Sequence, residues 1–433
     1  MEGRPGKRVV VLSLGTEADV WNAARITAAW SGRRGIASVE VIGWDITHDA
    51  CSLLPGVDAV HPLPLTGLRD RVRRHPLAAS IALRGAIDGI IGGRWFDAVL
   101  NLTYGGLAGH LAPMLALDPH AVVGPFVDET GQWRASHPAF EYLATWGIDP
   151  ALNVFAMQDV WAAGSHVRTD EAGLFSKDAI ADTLVDHACG EGTTPLIVAP
   201  TAEAEQWLGF GWDALVSTLA HASERPVMLL APPGEEALCE RIADRTGAST
   251  ARWPLRHRAA LLRRCGTLLT SNPDMSGFAA RAGVKQVLLR PSGPLRLASL
   301  PGPHVLTMSG AERALHLDAV LTFALSHLLQ HRTAAPMLQR SAHGLHVHEV
   351  GYDNAGCLAA TRVATQETST QAVTLSAWRR IWRDAWIGLP PQRKDVEHVL
   401  AHGDAHRLAR ARADRGRVGE ALRNTPRRRT VAA

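Results

Sequence analysis

At 433 residues the chain is longer than one hydrophobic core fills, so two large units and a further segment are expected. With 46% hydrophobic and 20% charged residues it is not a disordered chain, and a formal charge of +3 is too small to mark a nucleic-acid binder. The charge is uneven: residues 401–433 hold nine Arg against Asp404, Asp414 and Glu420, so this tail carries +6 and residues 1–400 carry −3. Cys51, Cys189, Cys239, Cys265 and Cys357 are scattered and form no CxxC pair. That pattern predicts a reducing compartment without a disulfide framework or zinc knuckle. No apolar run reaches membrane-span length, and Glu17 and Asp19 end the short run that follows Lys7-Arg8, so a cytoplasmic protein is expected.

Along the chain, short apolar runs alternate with helix-length amphipathic segments. Residues 9–14, 38–43, 98–102 and 121–124 read as strands, with a helix over 19–31. The rhythm lapses through 128–191, which is rich in Trp, Gly and polar residues, and restarts with a strand over 195–200. Strands over 226–231, 267–270 and 286–289 follow, with helices over 211–222, 235–246, 255–264 and 277–282. Such alternation predicts parallel sheets with helical crossovers. The economical description is two doubly wound α/β domains, 1–190 and 191–330, followed by an extension over 331–433. Ligands of such sheets bind at the carboxyl ends of the strands, here in the cleft between the domains.

There is no GK[ST] phosphate loop, no GxGxxG after the first strand, no GxSxG elbow and no HExxH, which argues against P-loop enzymes, ordinary dehydrogenases and serine hydrolases. Three strand-to-helix turns carry candidate chemistry instead. The first is Leu14-Gly15-Thr16-Glu17-Ala18-Asp19-Val20, where a carboxylate at the sheet's carboxyl end is placed to take a proton from an incoming hydroxyl; the plainer reading is a helix-terminus acid. The second is Ala199-Pro200-Thr201, followed by Glu205-Gln206-Trp207 and Trp212. There Thr201 and neighbouring N–H groups face a phosphate, or Thr201 caps a helix beside two packing indoles. The third runs from Leu268 to Gly283 through Asn272, Pro273, Asp274, Ser276 and Gly277 and offers a helix N-terminus to an anion.

The order of these three turns resembles glycosyltransferase family nine, the ADP-heptose heptosyltransferases of lipopolysaccharide assembly, over roughly residues 7–310. The resemblance implies the GT-B architecture: two Rossmann-like domains facing a central cleft. The family's Gly-x-x-Gly-Asp-type turn matches Gly15-Thr16-Glu17-Ala18-Asp19, so Asp19 inherits the role of catalytic base, with Ala18 where the family has Gly. Its Lys-x-Trp-Pro matches Glu205-Gln206-Trp207-Leu208, so the phosphate-facing Lys is replaced by an acid. Residues 226–231 with Pro232-Pro233-Gly234-Glu235 are similar to its strand and Gly-Gly-x-x-Glu turn. In its Asp-(Ser/Thr)-Gly-x-x-His donor motif, Asn272 replaces Asp, Pro273 replaces Ser/Thr, Asp274 replaces Gly and Gly277 replaces His.

The resemblance implies an inverting transfer of a sugar, heptose or a related one, from a nucleoside-diphosphate donor to a hydroxyl acceptor: a glycan, a lipid-linked molecule, a natural product or a protein. Donor-binding residues would be Thr201, Asn272, Asp274, Ser276 and Gly277, with Arg252 or Arg290 compensating for the missing Lys. No cofactor and no metal are expected beyond the nucleotide sugar as co-substrate. The altered donor motif also admits a non-catalytic GT-B-like partner subunit, and a nucleotide-sugar epimerase shares the scaffold.

In the extension, Trp378, Trp382 and Trp386 recur every four residues beside Arg379, Arg380 and Arg383 and put three indoles on one helical stripe. It is expected to pack on the protein's own body, and the resemblance to GT-B proteins implies a C-terminal helix that crosses back to the first domain; the alternative is peripheral contact with the inner face of a membrane. His343, His346, His348 and Glu349 carry metal-type side chains on an expected strand, but their spacing alone does not make a metal site.

Overall fold

A computed structural model describes residues 6–93, 95–147, 153–167, 174–189, 194–291, 304–310, 317–329, 345–352, 358–362, 370–386 and 389–403, with residues 407, 408, 410, 411 and 418. The segments around 190 and 331, most of the Arg-rich tail, His343 and Cys357 lie outside them.

Two sheets organise the chain. The first has the order β3-β2-β1-β4-β5, built from β1 (Lys7–Ser13), β2 (Ile36–Trp44), β3 (Ala59–Leu63), β4 (Ala98–Asn101) and β5 (Val122–Val123). All its pairings are parallel. The unbroken apolar run Val9-Val10-Val11-Leu12 suits a central strand covered on both faces. Val9 and Val11 join helix Glu17–Ser31 in one core layer, while Val10 and Leu12 face helices Pro76–Ile91 and Gly106–Leu115 in the other. A small hairpin, β6 (Pro125–Val127) with β7 (Trp133–Ala135), follows.

The second sheet begins with β8 (Leu196–Ala199), β9 (Val227–Leu230), β10 (Ser249–Ala251), β11 (Thr267–Thr270), β12 (Lys285–Arg290) and β13 (Val305–Gly310). These pair parallel in the order β10-β9-β8-β11-β12-β13. Two further strands, β14 (Leu345–Tyr352) and β15 (Leu358–Arg362), add antiparallel at the β13 edge. The expected extension therefore contributes directly to the second sheet. Mixed His, Glu and Val spacing in β14 hides that edge role from a search for buried parallel strands. On β14, His346 opposes Ser309, His348 opposes Thr307 and Glu349 opposes Leu306. Among the described residues no three His, Cys, Asp or Glu side chains come together as a metal site.

The two halves share one continuous apolar core, in which Val9, Val39 and Trp21 belong to the same cluster as Ile197, Leu268 and Phe278. Trp21, Phe175 and Phe278 meet pairwise with ring centroids 5.1–5.3 Å apart. Helix Thr370–Trp386 closes the connection on the far side. Trp382 and Trp386 lie against Tyr142 at 5.1 and 5.6 Å, Trp386 against Phe155 at 4.7 Å, and Arg379 Nε donates to the Val154 carbonyl at 2.6 Å. Trp378, Trp382 and Trp386 are 1, 8 and 6% exposed, so the stripe is an internal seam and not a face for a membrane. No described helix is long and apolar enough to cross a membrane.

Candidate active site

A cleft of about 350 Å³ lies where the carboxyl ends of the two sheets meet. Its lining follows the strand ends: Glu17 after β1, Ile46 and Asp49 after β2, Pro233 after β9, Trp253 after β10, and Asn272 and Asp274 after β11. That is where parallel α/β sheets present their ligand-binding loops. Trp21, Met275 and Phe278 line its apolar side, and Arg258 supplies a guanidinium.

Its charge is predominantly acidic. Glu17, Asp49 and Asp274 face Arg258, whose Nε donates to the Trp253 carbonyl at 2.7 Å. Burial raises the Glu17 pKa above the usual carboxylate value; the negative charges of Asp274 and Asp49 add to that rise, and Arg258 opposes it. Burial also pulls the Arg258 pKa down, against the opposing pull of Glu236 and Glu17. Glu17 is thus a partly desolvated carboxylate with like charge across the cleft, the kind of environment that tunes an acid or base.

Asp19, the residue singled out by the family pattern, has another engagement. Its Oδ2 accepts the Thr16 N–H at 2.8 Å and the Thr16 hydroxyl at 3.0 Å, closing the first turn of helix Glu17–Ser31. Gly15 makes room for this: a Cβ there would stand 2.2 Å from Asp19 Oδ2. Asp19 is absent from the cleft lining, while Glu17 is part of it.

The donor-side expectations divide in the same way. Asn272 and Asp274 line the cleft, but helix Pro273–Arg281 starts four residues before the expected helix at 277. Asn272 is its cap, its Oδ1 accepting from the N–H groups of Asp274 and Met275 at 2.9 and 3.0 Å, and Pro273 occupies the first turn. Ser276 consequently sits on the buried side, 0% exposed, with its hydroxyl donating to Gln286 Oε1 at 2.6 Å; it does not reach the cleft. Gly277 faces Trp21, where an added Cβ would make ordinary contact at 3.5 Å. A methyl group would fit there, so the position does not require glycine.

Thr201 caps helix Ala202–Trp207, its Oγ1 accepting from Ala204 N–H at 3.3 Å and sharing a 2.7 Å hydrogen bond with Ser271. Trp212 Nε1 donates to the Thr201 carbonyl, the plainer of the two sequence readings. The Glu235 carboxylate accepts the Ala202 N–H with both oxygens at 3.1 Å. Glu205 pairs with Arg241 at 2.6 Å. Arg252 pairs with Glu240 and lies outside the cleft lining, so the guanidinium in the cleft is that of Arg258.

No family model matches the chain, and no curated protein does. Solved structures do. A glycosyl transferase family 9 protein from Veillonella parvula superposes with a TM-score of 0.55 at 15% identity, covering 76% of this chain and 99% of its own. ADP-heptose LPS heptosyltransferase II of E. coli gives 0.52 at 13% identity, covering 75% and 99%. The E. coli heptosyltransferase WaaC, solved with ADP, gives 0.52 at 17% identity, covering 74% and 99%. Together with the two facing sheets and the cleft at their carboxyl ends, these likenesses show that the chain has the GT-B fold.

Proposed function

We propose that the protein is an inverting glycosyltransferase of the heptosyltransferase type, with Glu17 as the general base. The observation that carries this reading is a partly desolvated carboxylate, held beside a guanidinium, at the junction of two GT-B sheets. The nucleoside-diphosphate sugar would lie against the half formed by residues 191–330, with Asn272 and Asp274 near its ribose or sugar hydroxyls. The acceptor would approach from the half formed by residues 1–190.

In the reaction the acceptor oxygen forms a bond to the anomeric carbon from the side opposite the diphosphate. Its proton passes to a Glu17 carboxylate oxygen, and the bond from the anomeric carbon to the diphosphate breaks with its electron pair leaving on the nucleotide. Arg258 meets the charge that develops on that leaving group. Asp19 has a positioning part, holding Thr16 and so the direction of the turn that carries Glu17.

The second reading is a non-catalytic subunit on the same scaffold. It is favoured by the way Asn272, Thr201 and Glu235 already occupy helix N–H groups on the second face, and by the acid-rich lining. A panel of nucleoside diphosphates and their sugars separates the two by thermal denaturation. Stabilisation of about 2.7 kcal/mol is expected at a hundredfold excess over Kd. No stabilisation by any of them rejects the transferase and leaves the non-catalytic subunit; turnover without an acceptor indicates an epimerase.

A further inference from the structure

A second cavity, also about 350 Å³, lies on the first half beside the cleft, in the size range of small-molecule sites. Trp44, Leu65, Leu68, Ala79, Leu83 and Leu107 wall it, and Arg73 and Ser80 are the polar residues of its lining. It is formed where helices Leu65–Arg74 and Pro76–Ile91 pack beside the end of β2. Trp44 is the last residue of β2, and two residues on, past Asp45, Ile46 already lines the charged cleft, as does Asp49. The two cavities therefore flank one short turn.

Their electrostatics differ. The cleft carries Glu17, Asp49 and Asp274 around one Arg, whereas the charged residue in the lining of the apolar cavity is Arg73, in the last turn of helix Leu65–Arg74. Arg73 makes no ion pair among the described residues. Val72, in the lining, is 57% exposed, and Leu77, in the first turn of helix Pro76–Ile91, is 75% exposed. A ligand with an acid group finds a guanidinium here, while its apolar body fills the cavity beside it.

We infer that this cavity binds the apolar body of the acceptor, a soluble alkyl or aryl acid that also bears a hydroxyl. Its acid group rests on Arg73 and its hydroxyl is directed past the Asp45 turn toward Glu17. This assignment of substrate class rests on the transferase reading, but the cavity can be tested apart from it.

The probe is decanoic acid, displacing anilinonaphthalene sulfonate from the full-length protein, with decanol as the uncharged counterpart. Ala79→Phe fills the cavity from a buried position and should raise the decanoate Kd at least tenfold. Ser80→Trp blocks the exposed rim and serves if the first variant does not fold. Arg73→Glu should weaken decanoate severalfold and leave decanol unchanged. Nucleotide stabilisation, measured on the same samples, should be unaltered in all three.

Decanoate binding that Ala79→Phe and Ser80→Trp both leave unchanged overturns the proposal, as does the absence of decanoate binding altogether. So does sedimentation with phosphatidylglycerol vesicles that depends on Val72 and Leu77 while decanoate binds nowhere; the rim is then a membrane contact. Cavity-dependent decanoate binding without any nucleotide stabilisation upholds the cavity and rejects the transferase reading alone.

Discussion

Two helices bring their first turns to the same cleft, one from each sheet, and they use their acids differently. Helix Glu17–Ser31 opens with two carboxylates: Asp19 turns back onto Thr16, and Glu17 is left at the cleft. Helix Pro273–Arg281 opens with an amide cap and one carboxylate: Asn272 satisfies the N–H groups of Asp274 and Met275, and Asp274 is left at the cleft. In both turns the residue that closes the helix end is engaged with its own backbone, and a carboxylate two positions away lines the cleft. A motif can thus mark the right turn while a residue two positions away is the one that lines the cleft. The two free acids face each other, and their repulsion contributes to the raised pKa of Glu17.

The largest structural effect is expected at the support of the first helix. Arg25 and Asp159 form an ion pair at 3.2 Å with side chains 0 and 1% exposed. Asp159→Ala removes a carboxylate partner of a buried guanidinium and should lower stability by about 3–5 kcal/mol, read as a shift of the urea midpoint. A change under about 1 kcal/mol would mean that Arg25 does not depend on Asp159 for its place in the core.

A smaller loss separates the two acids of the first turn. Asp19→Ala removes the acceptor that closes the turn and should cost about 1 kcal/mol of stability, while the folded protein keeps transfer within severalfold. A fall of two or more orders of magnitude in transfer at unchanged folding would hand the base role back to Asp19.

The subtlest test concerns pH. Glu17 accepts a proton only when ionised, so transfer should rise with pH through its pKa, which lies above the ordinary 4.5. Asp274→Asn removes a neighbouring negative charge, favours the ionised form and should move this acid limb to lower pH. Arg258→Gln removes the opposing positive charge and should move it to higher pH. Identical profiles in both variants would detach Glu17 from the cleft's electrostatics.

Much of the fold is legible in the sequence, for a physical reason. Strands buried on both faces, such as β1, β8 and β11, need continuous apolar runs, and those runs stand out. β14 and β15 pair antiparallel at an edge, and β3 includes Pro62, so none of them carries that signature. At the site, the turns themselves are readable, because Gly15-Thr16 and Asn272-Pro273 are recognisable chain punctuation. The division of labour within a turn is not. Residues two apart on a helix point in nearly opposite directions, so placing the helix start decides whether Glu17 or Asp19 looks into the cleft. The same error of start displaced Ser276, which the actual helix turns toward Gln286. Arg258 belongs to none of the three turns; it stands in the first turn of helix Leu255–Cys265, which follows β10 without a recognisable motif.

The most direct test is single-turnover transfer by Glu17→Gln, with donor binding measured alongside. The substitution keeps the size of the side chain and removes its ability to take a proton. The rate is expected to fall by about 10²- to 10⁴-fold while the donor Kd changes little. Transfer at the wild-type rate in Glu17→Gln would contradict the assignment of the base and, with it, the chemistry proposed for the cleft.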